Sequence, residues 1–395
     1  MGETDLAAET EAFLALVSWY RGHDESAHLT RAEELVGDSV SASAARVLAV
    51  SARARTIGRW DNAGALRLGR SALAMAEELG LDELRAHALS TIGTAKSELG
   101  DSSAHEDMER ALGIALEIDS PIASTIVNNL GADAIQRGQL LRADELWNEA
   151  LRLAERFGDG QNVRFMRGNR IWLDALLGRW DAAAAGAKAF IAECEAGTPS
   201  FQEIVARWAR GWIREARGDS DGAIADHLRA VTLAREAGDS TRLAAALAIC
   251  ASTHAERAEL DEARVLVDEL IVALRTHPFA WAVFAAAPVA RELGLGEDLR
   301  EAFEEIPAPP ERPWLDASSL ALRGDYRSAA AVFADHGALP RAAKLRLHAG
   351  QHLIEQGLQS EGESELRKAL EFYRSVDATY YVDRCEALLQ ETRSA

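Results

Sequence analysis

Apolar residues recur along this chain at the spacing of amphipathic helices, and short turns separate one helix-length stretch from the next. The stretch 205–216 is typical, because its apolar residues fall three or four positions apart: Val205, Trp208, Ala209, Trp212, Ile213 and Ala216. Long alternating runs of Val, Ile and Thr, which would indicate strands, are absent from the sequence. The pattern therefore predicts an all-α protein with almost no sheet.

A repeated turn arranges these helices in pairs. A glycine, once replaced by alanine, stands at the turn and an alanine follows five positions later, most clearly at Gly58, Gly138, Gly178, Gly218, Ala258 and Gly324. Consecutive steps from Gly138 to Ala258 are each 40 residues, whereas the turns at Gly22, Gly100 and Gly357 are less regular. The glycine closes the first helix in a left-handed conformation, and the alanine lets the second helix pack closely against it. One hairpin cannot bury its own apolar face, so we expect about ten stacked copies.

The repeat resembles a known family. Small and large residues have the spacing of the tetratricopeptide repeat (TPR) in the segment that contains Asn128-Asn-Leu-Gly131, Gly138, Ala143, Trp147 and Ala150. Gly93, Gly211 and Gly350 take the place of Gly131 in their own units, each seven residues before a turn glycine. The resemblance implies a right-handed α-α superhelix whose first helices line a concave groove. The period of 40 residues, longer than the usual ~34, resembles the variant repeats of bacterial signal-transduction ATPases.

A proline-rich stretch interrupts the repeats in the C-terminal third. The segment 306–315, Ile-Pro-Ala-Pro-Pro-Glu-Arg-Pro-Trp-Leu, is poor helix-interior sequence because proline lacks the backbone donor that a helix needs. We therefore divide the chain into TPR-like repeats over 1–305, a proline-rich loop over 306–314, and C-terminal repeats with a capping helix over 315–395.

A second resemblance lies after this loop. The segments 322–326 (Leu-Arg-Gly-Asp-Tyr), 365–379 and 386–389 (Glu-Ala-Leu-Leu) resemble the end of a helical-repeat region in certain actinobacterial regulators. Those proteins join an AAA-type ATPase to a nucleotide cyclase or to a LuxR-type DNA-binding domain, and the resemblance covers roughly residues 40 to 392. It implies a sensor or regulatory arm that controls catalytic domains lying outside this chain.

Composition narrows the function further. The chain has 43 basic and 63 acidic residues, a net charge of −20, which repels a phosphate backbone and argues against general nucleic-acid binding. The three cysteines have no metal-ligand spacing, which fits a reducing compartment, and the N-terminus is acidic where a signal peptide would be basic. The longest apolar stretch, Phe279–Ala290, is too short to cross a bilayer. We expect a cytoplasmic protein without a membrane partner.

Catalytic signatures are missing. The sequence has no Gly-x-x-x-x-Gly-Lys-[Ser/Thr] phosphate loop, no aspartate pair on strands for a cyclase, and no nucleophile-base motif. His348 and His352 have the spacing of a metal-binding pair, with Glu355 a turn further on, but the glutamate that should follow the first histidine of a zinc protease is absent. We therefore expect neither an enzyme, nor a cofactor, nor a metal site.

The strongest local candidate for binding is a ladder of arginines on two adjacent first helices. Arg167, Arg170 and Asp174 precede Arg207, Arg210 and Arg214 by 40 residues, so the two sets should lie side by side on the concave face. The guanidinium groups would suit a carboxylate or phosphate. The alternative is a solvated face whose arginines pair with neighbours such as Asp174, Glu203 and Glu215. Strict TPR register turns the second set towards the neighbouring helix, but the local apolar pattern of 205–216 predicts that it points away.

Two further residues complete the candidate groove, Asn128 and Trp172. Trp172, Trp208 and Trp212 could stack on a ligand, although the helical spacing of Trp208 and Trp212 favours a role in packing between hairpins. The leading hypothesis is a scaffold that binds a protein or peptide in its concave groove. The alternative is the sensor arm described above, which would bind a small ligand or partner.

Overall fold

The computed structural model describes residues 2–57, 61–276, 283–304 and 312–394, and within these ranges it contains 21 α-helices and no strand. In chain order they are α1 (Glu3–Tyr20), α2 (Ser26–Val36), α3 (Ala42–Ile57), α4 (Asn62–Glu78), α5 (Asp82–Glu98), α6 (Ala104–Glu117), α7 (Ile122–Gln136), α8 (Leu140–Arg156), α9 (Gly160–Leu176), α10 (Trp180–Glu195), α11 (Gln202–Ala216), α12 (Ser220–Glu236), α13 (Ser240–Glu256), α14 (Leu260–Thr276), α15 (Val283–Glu292), α16 (Gly296–Glu304), α17 (Pro313–Leu322), α18 (Tyr326–Asp335), α19 (Leu339–Glu355), α20 (Gln359–Ser375) and α21 (Thr379–Ser394). The first twenty pair as ten hairpins and α21 follows them. The predicted all-α superhelix of about ten hairpins is confirmed.

The hairpin turns lie where the repeated glycine and alanine predict them. Gly138 has a φ of 75° and Ala258, the one alanine at this position, has a φ of 59°, so both residues end their helix in the left-handed conformation. Alanine is rarely found there because its Cβ crowds the backbone, whereas glycine has none. The predicted turn at Gly58 and the adjacent Trp60 lie outside the described residues.

The second recurrent glycine permits close packing inside the four hairpins that contain it. A Cβ on Gly131 in α7 would lie 2.4 Å from the ring of Trp147 in α8. The indole Nε1 of Trp147 donates to the backbone oxygen of Asn128 at 3.1 Å, one turn earlier on α7. The glycine is therefore required by a large residue that fills the space between the two helices.

The superhelix closes a full turn, so that its C-terminal arm (α17–α21, Pro313–Ser394) lies against the tips of earlier hairpins. Trp314 Nε1 donates to the backbone oxygen of Ile135 at 2.7 Å, across 179 residues of sequence. Thr379 Oγ1 donates to the backbone oxygen of Arg217 at 3.2 Å, across 162 residues. With 40 residues to a repeat, one turn therefore contains about four repeats.

The N-terminal hairpin makes a similar contact on the other side. The ring of Trp19, at the end of α1, lies 4.3 Å from the ring of Phe201, which precedes α11. The backbone of Phe201 also donates to the backbone oxygen of Tyr20 at 3.4 Å. The middle repeats are thus contacted by both ends of the chain, and their concave face becomes an interior.

The last two residues assigned from the sequence to the proline-rich loop, Pro313 and Trp314, lie in a helix. Residues 306–311 lie outside the described residues, and α17 already begins at Pro313. Proline fits the first position of a helix because its missing donor would be unsatisfied there in any case. Trp314 is buried, 6% exposed, and anchors the C-terminal arm.

The helices are short relative to a lipid bilayer. The longest in the described ranges, α1, has 18 residues. None of the helices that the structure describes is long and apolar enough to cross a membrane. The described part of the apolar stretch 279–290 forms most of α15.

Candidate functional site

A cavity of about 730 Å³, open to solvent at one end, lies where successive turns of the superhelix face each other. It is bounded mainly by α9, α11, α13 and α15 on one side and by α18, α19 and α21 on the other. One face of α19 runs along its length and contributes Arg341, Lys344, Leu345, His348, Gln351, His352 and Glu355. The spacing of three and four residues is that of a helix face. The first helices of the middle repeats therefore line this cavity, because the C-terminal arm covers their concave side.

Tryptophan rings form one wall of the cavity. The ring centroids of Trp172 and Trp208 lie 6.0 Å apart in an edge-to-face arrangement, and those of Trp172 and Trp212 lie 6.3 Å apart. Trp172 and Trp208 are only 4% and 2% exposed, so they fill the space between hairpins as their helical spacing predicts. All three also line the cavity. The same tryptophan rings can therefore pack in the core on one side and face a ligand in the cavity on the other.

Apart from the exposed Arg291, Arg341 is the cation lining the cavity that has no carboxylate partner among the described residues. Its guanidinium lies 4.2 Å from the ring centroid of Trp212 and 4.1 Å from that of Phe284. Among the described residues no carboxylate lies within ion-pair distance of it, and its buried Nε has no hydrogen-bond partner. Burial lowers the pKa of Arg341 to about 9, although Glu215 partly opposes this. The aromatic faces stabilise the cation, and the terminal NH2 groups of the guanidinium, unlike the buried Nε, remain available to a ligand.

The position of Arg341 in its helix adds to the positive potential. It is the third residue of α19, whose first turn carries the positive end of the helix dipole. Pro340 beside it has no N–H, and the backbone N–H of Arg341 donates to the oxygen of Ala338 at 3.0 Å. Pro340 and Arg341 thus have no free backbone N–H with which to bind an anion, and the helix dipole contributes only to the positive potential near the guanidinium.

Charged groups elsewhere in the cavity neutralise one another. Glu256 of α13 accepts hydrogen bonds from Lys344 of α19 and from Arg384 of α21. Lys344 also donates to the hydroxyl of Tyr381, which in turn donates to Glu215 of α11. Burial alone would raise the pKa of Glu256, but the two cations outweigh it and hold that pKa well below its usual range. This ion network (Glu215, Glu256, Lys344, Tyr381 and Arg384) ties the C-terminal arm to the middle repeats.

The other end of the cavity opens to solvent. Arg291, Glu292 and Glu355 line it there and are exposed, whereas the residues around Arg341 are largely buried. Between the two ends lies His348, whose pKa is lowered to about 4 by burial and by the nearby Lys344. The imidazole is therefore neutral at physiological pH. The cavity thus has an inner end at Arg341 and an open mouth.

The histidine pair that has metal-ligand spacing lies beside an aromatic ring. The centroid of Tyr326 is 5.5 Å from that of His348 and 6.2 Å from that of His352. His352 Nδ1 lies 3.8 Å from a carboxylate oxygen of Glu355. Across the ranges that the structure describes, no group of three His, Cys, Asp or Glu side chains is arranged to hold a metal ion.

The first half of the predicted arginine ladder pairs with second helices. Arg167 bonds to Glu193 of α10 at 2.7 Å. Arg170 bonds to Asp144 of α8 and lies 3.3 Å from Asp174, the pair that the sequence suggested as an alternative. Burial raises the pKa of Asp174 in spite of Arg170. These arginines join neighbouring helices, and they lie outside the cavity.

The second half of the ladder converges on a single buried carboxylate. Asp226 of α12, 2% exposed, accepts hydrogen bonds from Arg207 at 3.1 Å, Arg210 at 2.7 Å and Arg214 at 2.9 Å. Arg207 also bonds to Glu203 at 2.8 Å. The prediction that the local apolar pattern turns these arginines away from the neighbouring helix is wrong, because Asp226 compensates the charges that burial would otherwise leave unpaired.

Asn128 belongs to a row of amides between adjacent first helices. Its Oδ1 accepts from Asn169 Nδ2 of α9 at 2.9 Å, and Asn169 in turn accepts from Gln202 Nε2 of α11 at 2.6 Å. Asn128 is 8% exposed and does not line the cavity. Of the eight residues proposed from the sequence, Trp172 is the one that borders it.

Arg341 was missed because the sequence offers no sign of which repeats meet across the superhelix. A signal was nevertheless present in α19, where polar residues with helical spacing, from Arg341 through Lys344 and His348 to His352 and Glu355, share one face. We selected only the two histidines of that stripe.

No protein-family model matches the sequence, and no curated protein is found to be similar to it. Among solved structures, the chain is similar to a Rap protein complexed with Competence and Sporulation Factor, at 11% identity over 89% of this chain and 99% of that one, with a TM-score of 0.51. The chain has a TPR-like fold. Identity at this level supports the fold alone.

Two other solved structures are similar over nearly the whole of this chain. One is a signal transduction ATPase with a tetratricopeptide repeat sensor from Pyrococcus horikoshii, at 13% identity over 98% of this chain and 66% of that one, with a TM-score of 0.40. The other is yeast Tom70, at 14% identity over 98% and 96%, with a TM-score of 0.31. Scores this low add nothing to the functional argument.

Proposed function

We propose that this chain is a non-catalytic, cytoplasmic binding protein that holds a short peptide in the cavity between its superhelical turns. The observation that carries the proposal is the combination of a cavity of about 730 Å³, open at one end, with tryptophan walls and an uncompensated guanidinium at its inner end. Small-ligand sites usually have volumes of about 300–1,000 Å³ and few polar groups among apolar walls. The aromatic rings of Trp172, Trp208 and Trp212 suit apolar side chains, and the polar stripe of α19 suits a peptide backbone.

This proposal refines the expectation of an open groove. A long partner segment cannot lie along the concave face of the middle repeats while the C-terminal arm covers it. A short segment that enters through the mouth can reach the same first helices. The Rap protein of similar fold was solved in complex with Competence and Sporulation Factor, which agrees with a binding role for this chain.

A second proposal is that binding regulates a domain outside this chain, as in a sensor arm. The observation that favours it is the ion network, which joins α11 and α13 to α19 and α21 beside the cavity. A ligand that prefers one spacing of the two turns would shift their equilibrium towards that spacing. Small-angle scattering with a bound peptide should then show a changed radius of gyration, and an unchanged radius would contradict the sensor role.

Affinity selection tests the binding proposal. The full chain is mixed with a pool of randomised short peptides, separated from unbound peptide by gel filtration, and the retained peptides are identified by mass spectrometry. We expect a restricted set of sequences to be retained. Ser252→Trp, which fills the cavity from α13, should abolish retention, whereas Ser71→Trp on the exposed face of α4 should not. Retention that is equal in both variants, or absent from the unmodified chain, would refute the proposal.

A further inference from the structure

We propose that Arg341 is the anchor for the C-terminal carboxylate of the bound peptide, which therefore enters the cavity with its C-terminus first. This inference rests on the proposed function and specifies the chemistry of the ligand. Its basis is an unpaired guanidinium at the inner end of the cavity, between the rings of Trp212 and Phe284. A planar guanidinium binds a carboxylate through two parallel hydrogen bonds.

A second unsatisfied donor borders the same space. Trp208 is 2% exposed and lines the cavity, and its Nε1 has no hydrogen-bond partner among the described residues. A buried polar group without a partner is unfavourable, so native structures contain few of them. An indole N–H can only donate, as can a guanidinium. The indole Nε1 of Trp208 is itself sealed within the wall. It therefore adds to the positive potential of this wall, and the carboxylate bonds to the guanidinium of Arg341.

The charges along the cavity give the bound peptide a direction. The peptide N-terminus is cationic, and Arg341 together with the positive end of the α19 dipole would repel it. The mouth contains one exposed cation, Arg291, and two exposed carboxylates, Glu292 and Glu355, so its net negative charge would attract the peptide N-terminus. A chain that enters end-first thus reaches its most favourable charge contacts with the C-terminus inside.

The geometry of α19 also sets the length of the peptide. Arg341 and Glu355 are 14 positions apart in one continuous helix, which corresponds to about 21 Å at 1.5 Å per residue. An extended peptide covers about 3.3–3.6 Å per residue, so about six residues connect the inner end with the mouth.

The experiment compares two pools of randomised six-residue peptides that differ only at the C-terminus, one with a free carboxylate and one with a carboxamide. The unmodified chain should retain the acid pool at least ~10-fold more strongly, because only the acid can form the charge-assisted pair. Arg341→Gln should lower retention of the acid pool to that of the amide pool, and Arg341→Lys should retain part of the preference. Arg152→Gln, which removes an exposed arginine of α8, should change neither pool.

The outcomes separate this inference from the proposed function. Equal retention of both pools by the unmodified chain would overturn the carboxylate anchor while leaving a peptide-binding cavity. Retention of neither pool would overturn both proposals. Inorganic phosphate serves as a further arm, since a guanidinium also binds phosphate. Thermal stabilisation by phosphate that depends on Arg341, with no difference between the two pools, would assign the site to a phosphate and overturn the inference.

Discussion

Replacement of Arg341 by methionine should stabilise the ligand-free protein, although the residue is largely buried. Burial lowers the pKa of its guanidinium from 12.5 to about 9, and at ~1.4 kcal/mol per pKa unit this corresponds to a penalty of about 5 kcal/mol. The rings of Trp212 and Phe284 return about 1–2 kcal/mol each through cation–π contacts. We therefore expect Arg341→Met to raise the free energy of unfolding by about 1–3 kcal/mol.

Near neutral pH, the difference in the free energy of unfolding between Arg341→Met and the unmodified chain should depend little on pH. The pKa of Arg341 is lower in the folded than in the unfolded chain, so deprotonation favours folding and stability would rise as the pH passes about 9. Below that pH the arginine is charged in both states and the whole penalty is present. Urea denaturation at pH 7, followed by far-UV circular dichroism, therefore measures the full difference.

Arg207 provides the matched control, since it is buried but has carboxylate partners. Its removal leaves Glu203 without its cation and takes one of three arginines from Asp226, so Arg207→Met should lose roughly 3 kcal/mol. The free energy of unfolding should therefore rise in Arg341→Met and fall in Arg207→Met. A lower denaturation midpoint for Arg341→Met would show that Arg341 has a compensating partner in the ligand-free state, and would refute the reasoning.

Three further predictions concern packing, the ion network and the thiols. Gly131→Ala places a Cβ 2.4 Å from the Trp147 ring and should lose about 1–3 kcal/mol, whereas Gly113→Ala, with open space around it, should gain about 0.5–1 kcal/mol in thermal denaturation. Equal effects would contradict the packing account. The lowered pKa of Glu256 means that its contribution to stability is complete above pH 4.5 and is lost as the pH falls towards 2. Amide exchange in the C-terminal arm should therefore accelerate as the pH falls through that range, and in Glu256→Gln it should be faster already at pH 7. Unchanged exchange rates would contradict the role of the ion network. Burial raises the pKa of Cys250 to about 12, so a thiol reagent at pH 8 should label it only on unfolding, and rapid labelling of the native chain would contradict its burial.

The sequence was informative wherever structure depends on neighbours within one or two repeats. The turn at Gly138 and the close approach of Gly131 to Trp147 follow from residues within a single hairpin, and the spacing of small and large residues specifies both. The helical period of the apolar residues likewise identified Trp208 as a packing residue. These features repeat along the chain, so each unit supports the interpretation of the others.

The site was harder to predict from the sequence because it depends on the pitch of the superhelix. A small rotation between successive repeats accumulates over about four units before α19 meets α11, and no local pattern encodes that sum. The arginine ladder illustrates this limit. The spacing of Arg207 and Arg210 predicted that they share one helix face, but it could not predict that the buried Asp226 of another helix binds them. Arg341 became a candidate only when its surroundings were known to lack a carboxylate.

Hydrogen–deuterium exchange of the full chain, with and without a retained six-residue peptide acid, tests the central claim most directly. We predict slower exchange in the segments that line the cavity, 208–215 of α11, 249–256 of α13 and 341–352 of α19, with no change around Arg167 in α9 or on the outer helix α4. Protection confined to the segment around Arg167 or to the outer helices, with the α19 segment unchanged, would show that the peptide binds elsewhere and would contradict the account.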